Sequence, residues 1–127
     1  MITYHVVSSN GEIGQTGECR NEDFEKQAQP GETVMEGAVD GSLYYYNSGV
    51  LVARPTTNIA VDKTIATVEE LITFTNIPVN TTVNVAGEQI EINDGVFEFT
   101  TTEAGRYVFF FKSFPYQDFF ISVTVND

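Results

Sequence analysis

The sequence predicts a mainly β protein: a small N-terminal β-rich module with one short helix, followed by an Ig-like antiparallel β-sandwich. Ten Phe, six Tyr and many Val, Ile and Thr favour strands over helices. After Pro55, turn signals recur about every 8–12 residues, which is typical of a β-sandwich. The 127 residues, 42% of them hydrophobic, are enough to build a core.

Residues 1–55 are predicted to form the N-terminal module. "MITYHVV" and "EIGQTGE" alternate as strands, and the "SSNGE" between them places Asn-Gly in a hairpin turn. "RNEDFEKQAQPGE" predicts the one helix, about two turns long, with Asn21 as its cap and Pro30-Gly31 as its stop. "TVMEGAV" then predicts a third strand.

The run of three tyrosines is expected in a second hairpin, formed by "LYYY" and "VLVAR" around "NSG". Side chains alternate along a strand, so Tyr44 and Tyr46 share one face while Leu43 and Tyr45 share the other. Both faces of this hairpin are largely apolar. We therefore expect the short helix to cover one face and a neighbouring domain or protein to cover the other.

Residues 56–127 are predicted to form the sandwich, because Pro55 ends the last strand of the module and Thr-Thr-Asn follows as a linker. In "EAGRY" the spacing of Tyr107 predicts a tyrosine corner, in which the hydroxyl anchors a loop. "YVFFFK" is apolar on both faces, as expected of a strand that is central in its sheet or covered on its outer side. Seven strands are expected: "NIAVD", "ELITFTNIP", "TTVNVAG", "EQIEIN", "GVFEFTT", "RYVFFFKSF" and "DFFISVTVND".

The charge is strongly acidic, with 18 Asp and Glu against six Lys and Arg and a formal net charge of −12. The excess is five in residues 1–55 (eight against three) and seven in 56–127 (ten against three). No basic stripe is available to neutralise phosphates, which argues against nucleic acid and anionic membranes as partners. "MITYHVVSSNG" has neither the basic start nor the apolar run of a signal peptide, so we expect synthesis in the cytoplasm.

No catalytic motif, cofactor site or metal site is recognisable, and the sequence predicts a non-enzymatic protein. Cys19 and His5 are each the only residue of their type, and we expect both to be structural. Asp40-Gly41 and Asp94-Gly95 are interpreted as turns, because neither stretch has the spaced oxygen ligands of a calcium loop.

Aromatic residues are the candidate partner-binding groups. Tyr44, Tyr45 and Tyr46 form the first set, and Phe114, Pro115 and Tyr116, in a predicted loop between the last two strands, form the second. Three roles remain open for them: internal packing, anchors in a protein interface, and stacking platforms for a carbohydrate.

Four short patterns carry a resemblance to a known kind of protein. They are Gly17-Glu18-Cys19 at a turn, Pro30-Gly31-Glu32 after the helix, Ala53-Arg54-Pro55 at the linker, and a sandwich ending in "AGRY" and "PYQD". Together they resemble small proteins encoded beside tail-fibre and tail-structural genes in tailed bacteriophages. The chain has Ala104 where that pattern has proline.

The resemblance implies a virion component of the tail or the tail-fibre attachment region, working through contacts with other virion proteins. We expect a homo-oligomer in the assembly. Two alternatives are a carbohydrate-binding module that recognises a host glycan and a capsid decoration protein.

Overall fold

The N-terminal hairpin is the centre of a small sheet. The computed structural model describes all 127 residues, and β1 (Ile2–Val7) and β2 (Ile13–Cys19) pair antiparallel in it, which confirms the predicted hairpin. The predicted third strand, β3 (Thr33–Glu36), pairs antiparallel with the other edge of β1, giving the order β2-β1-β3. Gly17-Glu18-Cys19, expected at a turn, lies within β2.

The one helix is a 3₁₀ helix, Asn21–Gln27. Its start and end differ from the prediction: Arg20 occupies the cap position without a side-chain capping bond, and the helix ends before Pro30. Phe24 is the only large apolar side chain in "NEDFEKQ", and it packs against the buried cluster of Tyr4, Val6 and Cys19. The helix therefore covers β1 and β3, and the expectation that it covers the tyrosine hairpin is wrong.

The tyrosine hairpin has the predicted strands, β4 (Tyr44–Asn47) and β5 (Val50–Ala53). Ser48 and Gly49 connect them with φ of 51° and 83°. Two consecutive left-handed residues make a turn whose twist matches that of the strands, and glycine adopts this conformation without a steric cost.

Contacts divide the chain into an N-terminal unit, Met1–Pro55, and a C-terminal unit, Thr56–Asp127. The C-terminal unit is a sandwich of two sheets with strand orders β10-β9-β12-β13-β7 and β11-β8-β6. Its strands are β6 (Ala60–Val61), β7 (Ile65–Thr67), β8 (Ile72–Thr75), β9 (Thr81–Val85), β10 (Glu88–Ile92), β11 (Phe97–Phe99), β12 (Gly105–Lys112) and β13 (Phe119–Asn126).

The predicted fold class is confirmed, since the chain is mainly β and its larger unit is an Ig-like sandwich. Two details differ from the prediction. An eighth strand, β7, joins the larger sheet, and it pairs with β13 in parallel rather than antiparallel. Only Ala66 of its three residues is buried, so its sequence carries no alternation that would reveal a strand.

The core of the sandwich is aromatic. Phe74 of β8 lies with its ring centroid 4.7 Å from that of Phe109 and 5.2 Å from that of Phe111, both on β12. All three side chains are almost fully buried, and β12 lies between β9 and β13 as predicted. These rings join the two sheets, because β8 and β12 belong to different ones.

The tyrosine corner is confirmed. The hydroxyl of Tyr107 donates to the backbone oxygen of Glu103 at 2.8 Å and lies 3.1 Å from the hydroxyl of Thr101. This bond fixes the connection that leads into β12.

Asp62 extends the pairing of β6 with β8 beyond the end of β6. Its amide donates to the Thr73 oxygen, and its carboxylate accepts from the Thr73 amide, both at 3.0 Å. The bond from the Thr73 amide holds the pKa of Asp62 below its ordinary value of 3.8.

Replacing Phe109 with alanine should destabilise the C-terminal unit by about 3–5 kcal/mol, because it leaves a cavity in the aromatic core. Urea unfolding, followed through amide signals of residues 56–127, measures the loss. Phe120→Ala is the matched control: this ring is 68% exposed, and we expect a loss of less than about 1 kcal/mol. Equal losses in the two variants would contradict the assigned core.

Asp62 should make the C-terminal unit less stable in acid. Its folded pKa is lowered, so its contribution is present above pH 3.8 and is lost as the pH falls through the folded value. Asp62→Asn keeps an oxygen acceptor but removes the charge. The free energy of unfolding of this variant should therefore fall less steeply between pH 4 and 2, and an unchanged slope would contradict the role of the carboxylate.

Candidate functional site

The three tyrosines occupy three different environments in the N-terminal unit. Tyr44 pairs with Ala53 and Tyr46 with Leu51 on one face of the hairpin, whereas Tyr45 pairs with Val52 on the other. The predicted alternation is therefore confirmed. Tyr44 is 41% exposed, and Tyr45 and Tyr46 are half-buried.

Tyr46 attaches the hairpin to the central strand of the sheet. Its hydroxyl lies 2.9 Å from Nε2 of the buried His5, whose Nδ1 is 2.8 Å from the Gly37 carbonyl oxygen. A carbonyl oxygen can only accept, so Nδ1 donates to Gly37, and Nε2 is paired with the Tyr46 hydroxyl. The Tyr46 ring is thus an internal contact of this unit.

The backbone of Tyr46 is held by the turn between β1 and β2. The Tyr46 amide donates to the Gly11 oxygen at 2.9 Å. Gly11 has a φ of 91°, and a Cβ at this position would collide with the Tyr46 carbonyl oxygen. Glycine is required here both for its backbone conformation and for this close approach.

A groove, the tyrosine groove, is formed within the N-terminal unit by residues 7–11, Thr33 and Met35 of β3, and residues 45–49. Its volume is about 510 Å³. Tyr45 and Met35 give it apolar surface, while Ser, Thr and Asn side chains supply hydroxyl and amide groups. None of the twelve lining residues is charged.

The second predicted set, Phe114, Pro115 and Tyr116, lies in the loop between β12 and β13, as the sequence predicts. All three side chains are half-buried, and the Tyr116 amide donates to the Ser113 oxygen at 2.7 Å. Tyr116 also lines a groove of about 410 Å³ in the C-terminal unit, together with residues 76–78, Thr56 and Asn58. Tyr44, Tyr45 and Tyr46 belong to one unit and this loop to the other.

The outer surface of the larger sheet carries exposed aromatic side chains, and none of them is among the predicted site residues. Phe120 is 68% exposed and stacks on Phe110, its partner across β12 and β13, at 6.4 Å between centroids. Val108 is 49% and Ile65 is 70% exposed on the same side. Both runs that form it, "YVFFFK" and "FFISV", place a phenylalanine on each face of a strand, so the signal is present in the sequence.

Two cations flank this surface. Arg106 and Lys112 lie at outward positions of β12 on either side of Val108 and Phe110, and neither forms an ion pair. Arg106 donates only a long bond, 3.4 Å, to the Ser122 hydroxyl. No carboxylate occupies an outward position of β7, β12 or β13. We call Ile65, Arg106, Val108, Phe110, Lys112 and Phe120 the exposed sheet face.

The side chains that could carry chemistry are dispersed or engaged in structure. Cys19 is buried with Tyr4 and Val6, on the face of the small sheet opposite to His5. Nowhere in the chain do three or more His, Cys, Asp or Glu side chains converge as a metal site. The turn predicted at Asp40 is confirmed: hydrogen bonds from the Ser42 hydroxyl and amide lower the pKa of its carboxyl.

No protein-family model, no curated protein and no solved structure matches this chain. No helix is long and apolar enough to cross a membrane.

Replacing Tyr46 with phenylalanine should destabilise the N-terminal unit by about 1–3 kcal/mol, because the buried Nε2 of His5 loses its hydrogen-bond partner. The measurement is urea unfolding followed through amide signals of residues 1–55. Tyr44→Phe removes an exposed hydroxyl from the same strand and should change stability by less than about 0.5 kcal/mol. If the two variants lose the same free energy, the His5 contact does not hold the hairpin.

Proposed function

We propose that this chain is a non-enzymatic structural protein of a bacteriophage particle, in the tail or where tail fibres attach, and that it acts through protein–protein contacts. The phage part of the proposal rests on the resemblance of its sequence patterns. The contact part rests on one observation, the exposed sheet face of the C-terminal unit, where Phe120 is 68% exposed.

This face has the composition of a protein interface. Exposed aromatic side chains that lie together on one sheet face are typical of interaction surfaces, and aromatic side chains near the centre of an interface supply much of its binding energy. Phe110 and Phe120 are already stacked on each other, so a partner would meet a preformed aromatic surface.

The charge of the face indicates the chemistry of the partner. Arg106 and Lys112 are two of only six basic residues in a chain of net charge −12, and they flank Val108 and Phe110 along β12. A subunit that presents apolar surface flanked by Asp or Glu would complement both properties. The rest of the chain repels such a subunit, so its charge also favours binding in one orientation.

A different subunit fits this face better than a second copy. A two-fold contact between copies sets the same face against itself and brings its cations towards each other. The homo-oligomer expected from the sequence therefore stays a prediction, and its interface would be a surface other than the exposed sheet face. Tyr44 is the most exposed member of the triplet, and Leu51, which is 42% exposed, lies on the same face of the hairpin, so we assign the prediction to this face.

A capsid decoration protein would use the same interface chemistry on a different subunit. Cross-linking within purified particles, followed by mass spectrometry, distinguishes the two locations by the protein to which residues of β12 and β13 become linked.

The chain should be found in gradient-purified particles of the phage that encodes it, and its incorporation into these particles should depend on Phe120. We expect Phe120→Lys to lower the amount per particle at least about tenfold, as the loss of an interface anchor does. Quantitative mass spectrometry of the particles measures this amount.

The matched control is Val79→Lys, which places the same charge at a side chain that is 65% exposed in the turn before β9. This variant should be incorporated normally. Absence of the chain from purified particles overturns the proposed function, and equal incorporation of the two variants overturns the role of the exposed sheet face.

A further inference from the structure

We propose that the tyrosine groove of the N-terminal unit binds an uncharged oligosaccharide. The groove has the size of a small-molecule site, since its volume of about 510 Å³ falls within the usual range of about 300–1,000 Å³. This inference concerns a different unit from the exposed sheet face and does not depend on the function proposed for that face.

The absence of charge in the groove selects a neutral ligand. Charged residues make up 19% of the chain, yet none of the groove residues is charged. An anionic ligand would meet no cation here and would be repelled by the net charge of −12. A cationic ligand would find no carboxylate in the groove to replace its lost hydration.

The polar groups of the groove match those of a sugar. Ser9, Asn10, Asn47 and Ser48 provide hydroxyl and amide groups, which both donate and accept hydrogen bonds. Sugar hydroxyls also do both, so they can be paired without leaving a buried group unsatisfied. Asn10 already uses its Oδ1 to accept from the Glu12 amide at 3.1 Å, which holds its side chain in place.

The apolar side chains of the groove can contact the faces of a sugar ring. Pyranose rings have C–H groups on their faces, and an aromatic side chain buries such a face without a hydrogen-bonding requirement of its own. Tyr45 is half-buried at the groove, and Met35, 38% exposed, lies on the neighbouring wall. Aromatic surface beside hydroxyl and amide groups favours a sugar over a purely apolar ligand.

The groove is held by the bonds that attach the hairpin to the small sheet. Tyr46 links its two walls, since its amide binds the Gly11 oxygen and its hydroxyl binds His5. The turn itself is closed by bonds from the Ser8 amide to the Glu12 oxygen, at 2.8 Å, and from the Gly11 amide to the Ser8 oxygen, at 2.9 Å. A site whose walls are fixed before binding loses less conformational entropy when the ligand arrives.

The test is an NMR titration of the full chain with maltohexaose, mannohexaose and chitohexaose, each up to about 10 mM, a range that detects millimolar affinity. Oligogalacturonate serves as an anionic comparison. We expect at least one neutral sugar to shift the amide signals of residues 8–11 and 45–49. The oligogalacturonate should not, and raising the NaCl concentration should leave the neutral sugar's Kd unchanged.

Substitutions in β4 test whether the sugar binds in the groove. Tyr45→Ala should raise Kd about tenfold through loss of the stacking surface, and Asn47→Ala about fivefold through loss of a hydrogen bond. Asn47 is exposed, so its variant tests the site even if Tyr45→Ala unfolds the unit. Tyr44→Ala, on the opposite face of β4, should leave Kd unchanged.

Three results would overturn the proposal: no shift of the groove amides with any neutral sugar, shifts confined to other residues, or equal effects of the Tyr44 and Asn47 variants. The particle experiment with Phe120 does not involve this groove, so each proposal can fail without the other.

Discussion

Consecutive side chains of an extended strand point to opposite faces of its sheet, and this alternation decides where each aromatic residue of the sandwich lies. In β12 it directs Phe109 and Phe111 into the core against Phe74 and leaves Phe110 outside. The same register sets Phe110 against Phe120 across β13. A slip of one residue would exchange the buried and exposed rings, so the core that stabilises the sandwich also fixes the geometry of its exposed face.

In the N-terminal unit the same alternation separates Tyr45 from Tyr44 and Tyr46, and the contact with His5 then distinguishes Tyr46 from Tyr44. Tyr46 turns its hydroxyl to the buried His5, Tyr45 lines the groove, and Tyr44 faces solvent. The hydrogen bonds of Tyr46 determine more than the position of one ring, because its hydroxyl holds β4 against β1 and its amide holds β4 against the turn at residues 8–11. A tyrosine run therefore need not be one aromatic surface: two of its members line the groove, and the third faces solvent.

The parts of the fold that were predicted correctly follow from patterns within short stretches of the sequence. The strands of both hairpins follow from alternation and turn residues, and the tyrosine corner follows from the spacing of Tyr107, because its bond to Glu103 spans only four residues. β7 was missed because one buried alanine makes no pattern. The tyrosine groove was also missed, since it depends on a contact between His5 and Tyr46, 41 residues apart. Long-range contacts of this kind leave no local signal.

The two candidate sites differ in charge, and they therefore suit different kinds of partner. The exposed sheet face combines aromatic rings with cations in an acidic chain, so attraction to an acidic partner there weakens as salt screens it. The groove has no charge to screen, and its affinity depends on hydrogen bonds and a buried ring face. No single partner of uniform chemistry satisfies both surfaces. The two proposals therefore require different partners, an acidic protein surface for the exposed sheet face and an uncharged ligand for the groove.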